Sequence, residues 1–195
     1  MKYSARENLP FPRVEVTALS ASLRHDLVPF PIRIARGALT YTTPTLSVQG
    51  VDGAIGASTF TGVSARLGMN APYVLSAQQG SAVAALGQLF QWAAAQPQFA
   101  KPLAGVKQIA GTVALSVAQL EVPLNAPEQM RFTIAATPQR INVDAPEYGP
   151  PVKIDGGVIE VSQQSVNVKG VKASLLDAAL EISGRTDDYR KGVDS

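Results

Sequence analysis

Short runs of alternating apolar and polar residues make up most of this chain of 195 residues. β-Branched and aliphatic residues take every second position, and Gly, Pro, Asn or Asp separate the runs. This period of two predicts strands with one dry and one wet face, paired antiparallel. We therefore expect a mainly β protein whose repeated strands form a long, curved and twisted sheet with an open groove. The clearest runs are residues 14–16, 32–34, 46–48, 113–117, 132–134, 141–143 and 180–182.

One segment, residues 76–96, breaks this period. Its apolar residues recur at spacings of three and four, and alanine is abundant, which predicts a single α-helix. Ser76, with Gln79 three residues later, would form a capping box, and Pro97 would end the helix. The apolar stripe of this helix is interpreted either as packed core, which base rates of burial favour, or as a plug facing lipid. That stripe consists of Leu86, Leu89, Phe90 and Trp92.

An internal repeat is the most informative feature, since residues 32–64 align without a gap onto residues 152–184 at an offset of 120. Each copy predicts a strand, a glycine turn, a second strand, a polar turn, a third strand and a further strand. Such a unit cannot bury its own apolar face and must stack on neighbours. We expect residues 1–184 to form one segment and residues 185–195 a frayed polar tail. The identical pairs are Ile34 and Ile154, Gly37 and Gly157, Val48 and Val168, Gly50 and Gly170, and Val51 and Val171.

Composition narrows the classes of function. Hydrophobic residues make up 46% and charged residues 16%, which is too apolar for a disordered chain. The 17 basic and 15 acidic residues are scattered, so a nucleic-acid partner is not expected. Without cysteine there is neither a disulfide nor a thiolate site. No window is apolar enough for a membrane-spanning helix, and the first residues lack the apolar core of a signal peptide.

Candidate catalytic and ligand-binding motifs are weak. His25 with Asp26 is better interpreted as a polar turn than as a catalytic pair. Ser64 lacks the closing glycine of a nucleophile elbow. The glycine-rich residues 50–56 lack the spacing of a phosphate-binding loop, and we interpret them as a turn. We therefore predict no catalytic residue, no metal site and no cofactor.

Three stretches carry a resemblance to a known family. They are ALTY with TLSVQGVDGAIG at residues 38–41 and 45–56, LGQLFQW with IAGTVAL at residues 86–92 and 109–115, and GVIEV, VNVKGV and AALEISG at residues 157–161, 166–171 and 178–184. Together they resemble the AsmA-like superfamily of bacterial envelope proteins, which includes TamB-type and YhdP-type proteins.

The resemblance implies a periplasmic segment of a larger parent protein that is anchored in the inner membrane. This chain departs from whole family members because it lacks the N-terminal anchor. It implies a non-enzymatic role in phospholipid transfer between the inner and outer membranes or in outer-membrane biogenesis. The implied partners are phospholipid acyl chains, neighbouring repeats of the parent chain and other envelope proteins.

In this hypothesis the apolar residues of the strands line the lipid groove. The alternative is a closed β scaffold or protein-interaction module without a ligand, in which the helix and a second sheet cover the same residues. An enzyme acting on envelope carbohydrate ranks last, because the acidic residues are spread singly. The lining candidates are Ile34, Leu39, Tyr41, Leu46, Val48, Phe60, Val113, Leu115, Phe132, Ile134, Ile159, Val161, Val166, Val168, Leu180 and Ile182.

Overall fold

A computed structural model describes residues 13–25, 28–176 and 178–188. In that part of the chain the helices are α1 (Leu86–Ala94), α2 (Pro97–Leu103) and a short 3-10 helix (Pro127–Gln129). The strands are β1 (Arg13–Val16), β2 (Ala21–His25), β3 (Val28–Thr42), β4 (Thr45–Ile55), β5 (Ser58–Gly68), β6 (Val74–Ala85), β7 (Gln108–Pro123), β8 (Arg131–Asp144), β9 (Val152–Asp155), β10 (Val158–Ser162), β11 (Ser165–Leu175) and β12 (Ala178–Asp187).

All of these strands join one antiparallel sheet. Its order is β1-β3-β4-β5-β6-β7-β8-β10-β11-β12, with β2 paired to β3 and β9 paired to both β8 and β11. Most strands therefore pair with the strand that precedes them in the chain. No described strand joins β12 to the first strands, so the sheet has two edges. The prediction of a mainly β fold of antiparallel strands is confirmed.

The strand register separates two faces of this sheet. Residues directly opposite each other in an antiparallel pair project from the same face, so a row can be followed from strand to strand. One row crosses ten strands and holds only apolar residues and glycine: Ala21, Ile34, Gly53, Phe60, Ala82, Leu115, Ala136, Ile159, Val168 and Gly184. We call its side the apolar face.

A neighbouring row on the other side is almost wholly polar. It runs through Thr61, Ser81, Ser116, Ala135, Glu160, Asn167 and Arg185. We call this side the polar face.

A repeated bulge keeps the apolar residues in phase at four places. In each, a residue with φ between 51° and 63° precedes a Val or Ile, and a glycine stands opposite that Val or Ile. A bulge adds one residue to a strand, so apolar residues three apart face the same side, and it also bends the strand and increases its twist. The four are Gly50-Val51 opposite Gly37, Gly62-Val63 opposite Gly80, Arg140-Ile141 opposite Gly111, and Gly170-Val171 opposite Gly157.

The buried core is confined to a few residues. The buried hydrophobic residues of the described chain are Val51, Ile141, Val171 and Ala173, with 5% to 9% of their surface exposed. The first three belong to the repeated bulges, where the opposing glycine lets two strands approach closely. A second layer of structure over the sheet would bury many more side chains. The described chain is therefore a single-layered sheet.

The prediction of one helix over residues 76–96 is wrong in two respects. The first half of this segment is a strand, and a second helix follows the first. Residues 76–85 belong to β6, where Ser76 and Gln79 pair with β5, so no capping box forms. The abundant alanine favours a helix locally, but pairing with β5 and β7 overrides that preference. Helix α1 ends at Ala94, and Pro97 begins α2, because a proline suits the first position of a helix.

β4 and β11 have the same length and begin 120 residues apart, which is the offset of the two repeat copies. The glycine turn is wrong in the first copy: β3 runs unbroken through Gly37, whereas Gly156 and Gly157 separate β9 from β10 in the second copy. Residues 185–187, which were expected to belong to a frayed tail, are part of β12. Residues 189–195 lie outside the described residues.

Candidate functional site

All sixteen groove candidates lie on the apolar face. The strand register places five of them in the row that crosses ten strands: Ile34, Phe60, Leu115, Ile159 and Val168. The remaining candidates continue from that row at even spacings or across the bulges. Two further rows on this face are equally apolar. They are Val16, Leu39, Val48, Ala65, Ala77, Leu120 and Phe132, and Val14, Tyr41, Leu46, Leu67, Leu75 and Val122.

The apolar face is uncovered within the described chain. Fourteen of the sixteen candidates are half-buried, and Leu180 and Ile182 at the edge are 53% and 49% exposed. Neighbouring side chains on the same face reduce the exposure of these residues. A layer packed over the sheet would also have covered the ends of their side chains and buried them fully. A contiguous apolar surface of this kind marks a site for lipid, a ligand or another protein.

The dimensions of this face follow from strand geometry. Ten strands with a spacing of about 4.8 Å span roughly 43 Å across the sheet. The longest strand, β7, has 16 residues, so it extends for roughly 50 Å at about 3.3 Å per residue. The face is thus large enough for several acyl chains.

A furrow runs along β6 on the apolar face. Four of the β6 residues on this side are small; β7 flanks them with bulky side chains, and β5 does so at Phe60 and at Val63, which packs against Gly80, but has Ala65 opposite Ala77. The walls are about two strand spacings, roughly 10 Å, apart, and the furrow is roughly 25 Å long. The small residues are Ala77, Gly80, Ala82 and Ala84, and the flanking ones are Phe60, Val63, Val113, Leu115 and Leu120.

Sequence reasoning missed this furrow because its residues were assigned to a helix. The sequence carries little signal for it: Ser76-Ala77 and Ser81-Ala82 each place a polar residue beside a small one, but the two pairs are five residues apart, which is not the period of two that marks a strand.

The helices lie at one end of the strands. α1 follows directly on β6 and contacts the start of β7, and Gln88 Oε1 accepts a hydrogen bond of 2.7 Å from the Ala57 amide in the β4–β5 turn. Trp92 and Phe99 make a tilted ring contact at 6.4 Å. The stripe of α1 is half-buried, with no residue of the helix buried. None of the described helices has the length and hydrophobicity needed to cross a lipid bilayer.

The polar face holds the hydrogen bonds that stabilise the bulges. The amide of each bulge residue donates to a side chain on the adjacent strand, which satisfies an N–H freed from the ladder. The distances are 3.2 Å for Gly50 to Ser64 Oγ, 2.8 Å for Gly62 to Asp52 Oδ1, 3.0 Å for Arg140 to Asp155 Oδ1 and 2.9 Å for Gly170 to Ser183 Oγ.

Two carboxylates of the polar face, Asp52 and Glu160, form ion pairs. The Gly62 amide and the Arg36 guanidinium, which donates from Nε, together hold the pKa of Asp52 below its usual value. Lys169 Nζ donates to Glu160 at 2.9 Å and lowers the pKa of that carboxyl, with a smaller contribution from Asn167. Both carboxylates are therefore ionised at neutral pH, and their hydrogen bonds link neighbouring strands of the sheet.

Ser64 and the glycine-rich residues 50–56, which were considered above as candidate motifs, belong to the strands and their hydrogen bonds. The Ser64 hydroxyl accepts from the Gly50 amide and from Gln79 Nε2, at 3.2 and 3.3 Å. The glycine-rich residues 50–56 are not one turn, because β4 continues to Ile55 and only Gly56 lies where the strands reverse. The His25-Asp26 pair lies outside the residues whose side chains are described.

Two carboxylates share a depression on the polar face. Asp155 and Glu181 help to line a depression of about 480 Å³, and Lys172 stands opposite both in the register. They lie two strands apart, roughly 10 Å between Cα atoms, and both are exposed. Such an exposed row of alternating charges is typical of a solvated sheet surface. Within the described residues, no group of three or more His, Asp or Glu side chains is arranged to hold a metal ion.

Comparison of the chain with protein-family models, with curated proteins and with solved structures finds no match.

Proposed function

We propose that this chain is a non-enzymatic lipid-handling segment that holds acyl chains on its apolar face. The observation that supports the proposal is one uncovered side of a single sheet on which fourteen apolar candidates are half-buried and two are exposed. The furrow along β6 is the preferred path for one acyl chain, because its small floor residues leave room between bulky walls.

The energetics suit such a role. Burial contributes about 0.8 kcal/mol per methylene, so a chain of about sixteen carbons would gain on the order of 10 kcal/mol if it were fully enclosed. An open furrow encloses less than the whole chain, so the actual gain is smaller. The contact is non-directional, and a lipid tail would therefore slide along the face while its headgroup stays in water.

The proposal extends to the cellular setting. The segment would work in the periplasm as part of a parent protein anchored in the inner membrane, and contribute to phospholipid transfer or to outer-membrane biogenesis. Neighbouring repeats would extend the face and other envelope proteins would contact it. These statements rest on the resemblance to the AsmA-like superfamily.

Native mass spectrometry with lipid extraction tests the proposal. We expect the purified chain to carry phospholipid or to take up a fluorescent acyl probe. Val48→Asp and Val168→Asp should each reduce the bound lipid at least tenfold, because an ionised carboxylate on the apolar face is costly to desolvate. Ser47→Asp places the same charge on the polar face of β4 beside Arg66 and serves as the matched control.

Circular dichroism and thermal unfolding would verify that each variant is folded. A lipid-free wild-type chain that also fails to bind the acyl probe would contradict the proposal. The alternative, a protein-interaction module whose apolar face is covered by another protein, would then be favoured.

A further inference from the structure

The two edges of the sheet differ. At the first edge, β3 is flanked by two short strands of four and five residues, β1 and β2. At the other edge lies β12, which has ten residues. Among the described strands it pairs only with β11. Proteins commonly protect sheet edges with short strands, prolines, lysines or bulges. The first edge is protected in this way and the second is not.

The sequence of β12, AALEISGRTD, lacks proline, lysine and a bulge, and its charged residues are Glu181, Arg185 and Asp187. The bulge between the last two strands falls on Gly170 of β11, so β12 itself is unbroken. Every residue of β12 is exposed, including Leu180 and Ile182 on the apolar face. Such an edge is a template for an added strand.

The charges of β12 are complementary to themselves. Consider two copies of β12 paired antiparallel about a two-fold axis through Ser183. Arg185 Nε already donates to Asp187 of its own strand at 2.9 Å, and Glu181 of the second copy then stands directly opposite Arg185 as an additional partner, at two symmetric places. On the other side, Ile182 stands opposite Gly184. Residues that face each other stay on the same face, so the two apolar faces would become continuous.

We propose that the free edge of β12 binds a second copy of this chain in that register. The dimer has one continuous sheet, with the unprotected edges joined at its centre and the protected edges at its ends. The proposal does not depend on what the apolar face binds, and in a longer parent chain a neighbouring repeat would take the place of the second copy at this edge.

A charge reversal tests the register. Sedimentation equilibrium of the full chain should show a dimer, and Glu181→Arg or Arg185→Glu alone should weaken dimerisation at least tenfold, because like charges then face each other. The double variant Glu181→Arg/Arg185→Glu restores the opposite-charge pairs and should return the dissociation constant to within about threefold of wild type. Unfolding curves of all variants would separate dimer loss from loss of the fold.

An introduced cysteine provides a second readout, since the chain has no cysteine of its own. Ser183→Cys places two thiols opposite each other with Cα atoms about 5 Å apart, a separation that a disulfide spans, so mild oxidation should give a covalent dimer. Ala179→Cys, on the same face of β12 but opposite Asp187, should form no disulfide between copies. A monomeric wild-type chain, or equal cross-linking of the two cysteine variants, would overturn the proposal.

Discussion

The two faces of the sheet differ in how their side chains are satisfied. On the polar face, hydroxyls, carboxylates and cations pair with one another and with the bulge amides. On the apolar face, the buried hydrophobic residues of the described chain are Val51, Ile141, Val171 and Ala173, while most of the other apolar residues are half-buried or exposed. Hydrogen bonds of the polar face and close packing at the bulges therefore stabilise the sheet. Most of the apolar face is not needed for this and remains available to a ligand.

The largest effect on stability among these substitutions is expected at a repeated bulge, where two strands approach closely. An added methyl group at Gly157 would lie 2.5 Å from Gly170 O and from Val171 Cα, at a φ of +74° that side chains rarely adopt. We expect Gly157→Ala to lower the free energy of unfolding by roughly 2–4 kcal/mol in urea titrations. Gly184→Ala is the matched control, because a methyl group there meets nothing within 4 Å. Equal effects of the two substitutions would show that the bulges do not hold the layer.

A smaller effect is expected on the polar face. Asp52→Ala removes the acceptor of the Gly62 amide and the partner of Arg36, so the melting temperature should fall by less than in Gly157→Ala. The pKa of Asp52 is lowered in the folded chain. Its contribution is therefore present above the unfolded value of about 3.8 and is lost as the pH falls through the lower folded value.

The destabilisation by Asp52→Ala should accordingly be greatest at neutral pH and shrink below about pH 3.8. Ser64→Ala removes the corresponding acceptor of the Gly50 amide without a titrating group, so its effect should not change with pH in this way. An Asp52→Ala effect that is constant from pH 7 to pH 2.5 would contradict the role given to the carboxylate.

The sheet, and the residues that form its apolar face, were predictable because the alternation of apolar and polar residues along a strand can be seen in a short stretch of sequence. The bulges were predictable only in part. Gly50 and Gly170 stand out through the repeat, but Arg140 takes the same conformation without being glycine, so nothing in its residue type marks it. The furrow was not predictable from composition, because alanine has the highest helix propensity and only pairing with bulky neighbours makes its small size informative.

Fluorescence quenching would test the central claim, that acyl chains lie on the apolar face, most directly. A small fluorophore is attached to a single cysteine introduced as Ala82→Cys in the furrow or as Ser81→Cys on the polar face, and a lipid with brominated acyl chains is added. The two positions are adjacent in β6 and belong to opposite faces. We predict strong quenching at position 82 and little at position 81. Equal quenching at both positions, or none at position 82, would contradict the account.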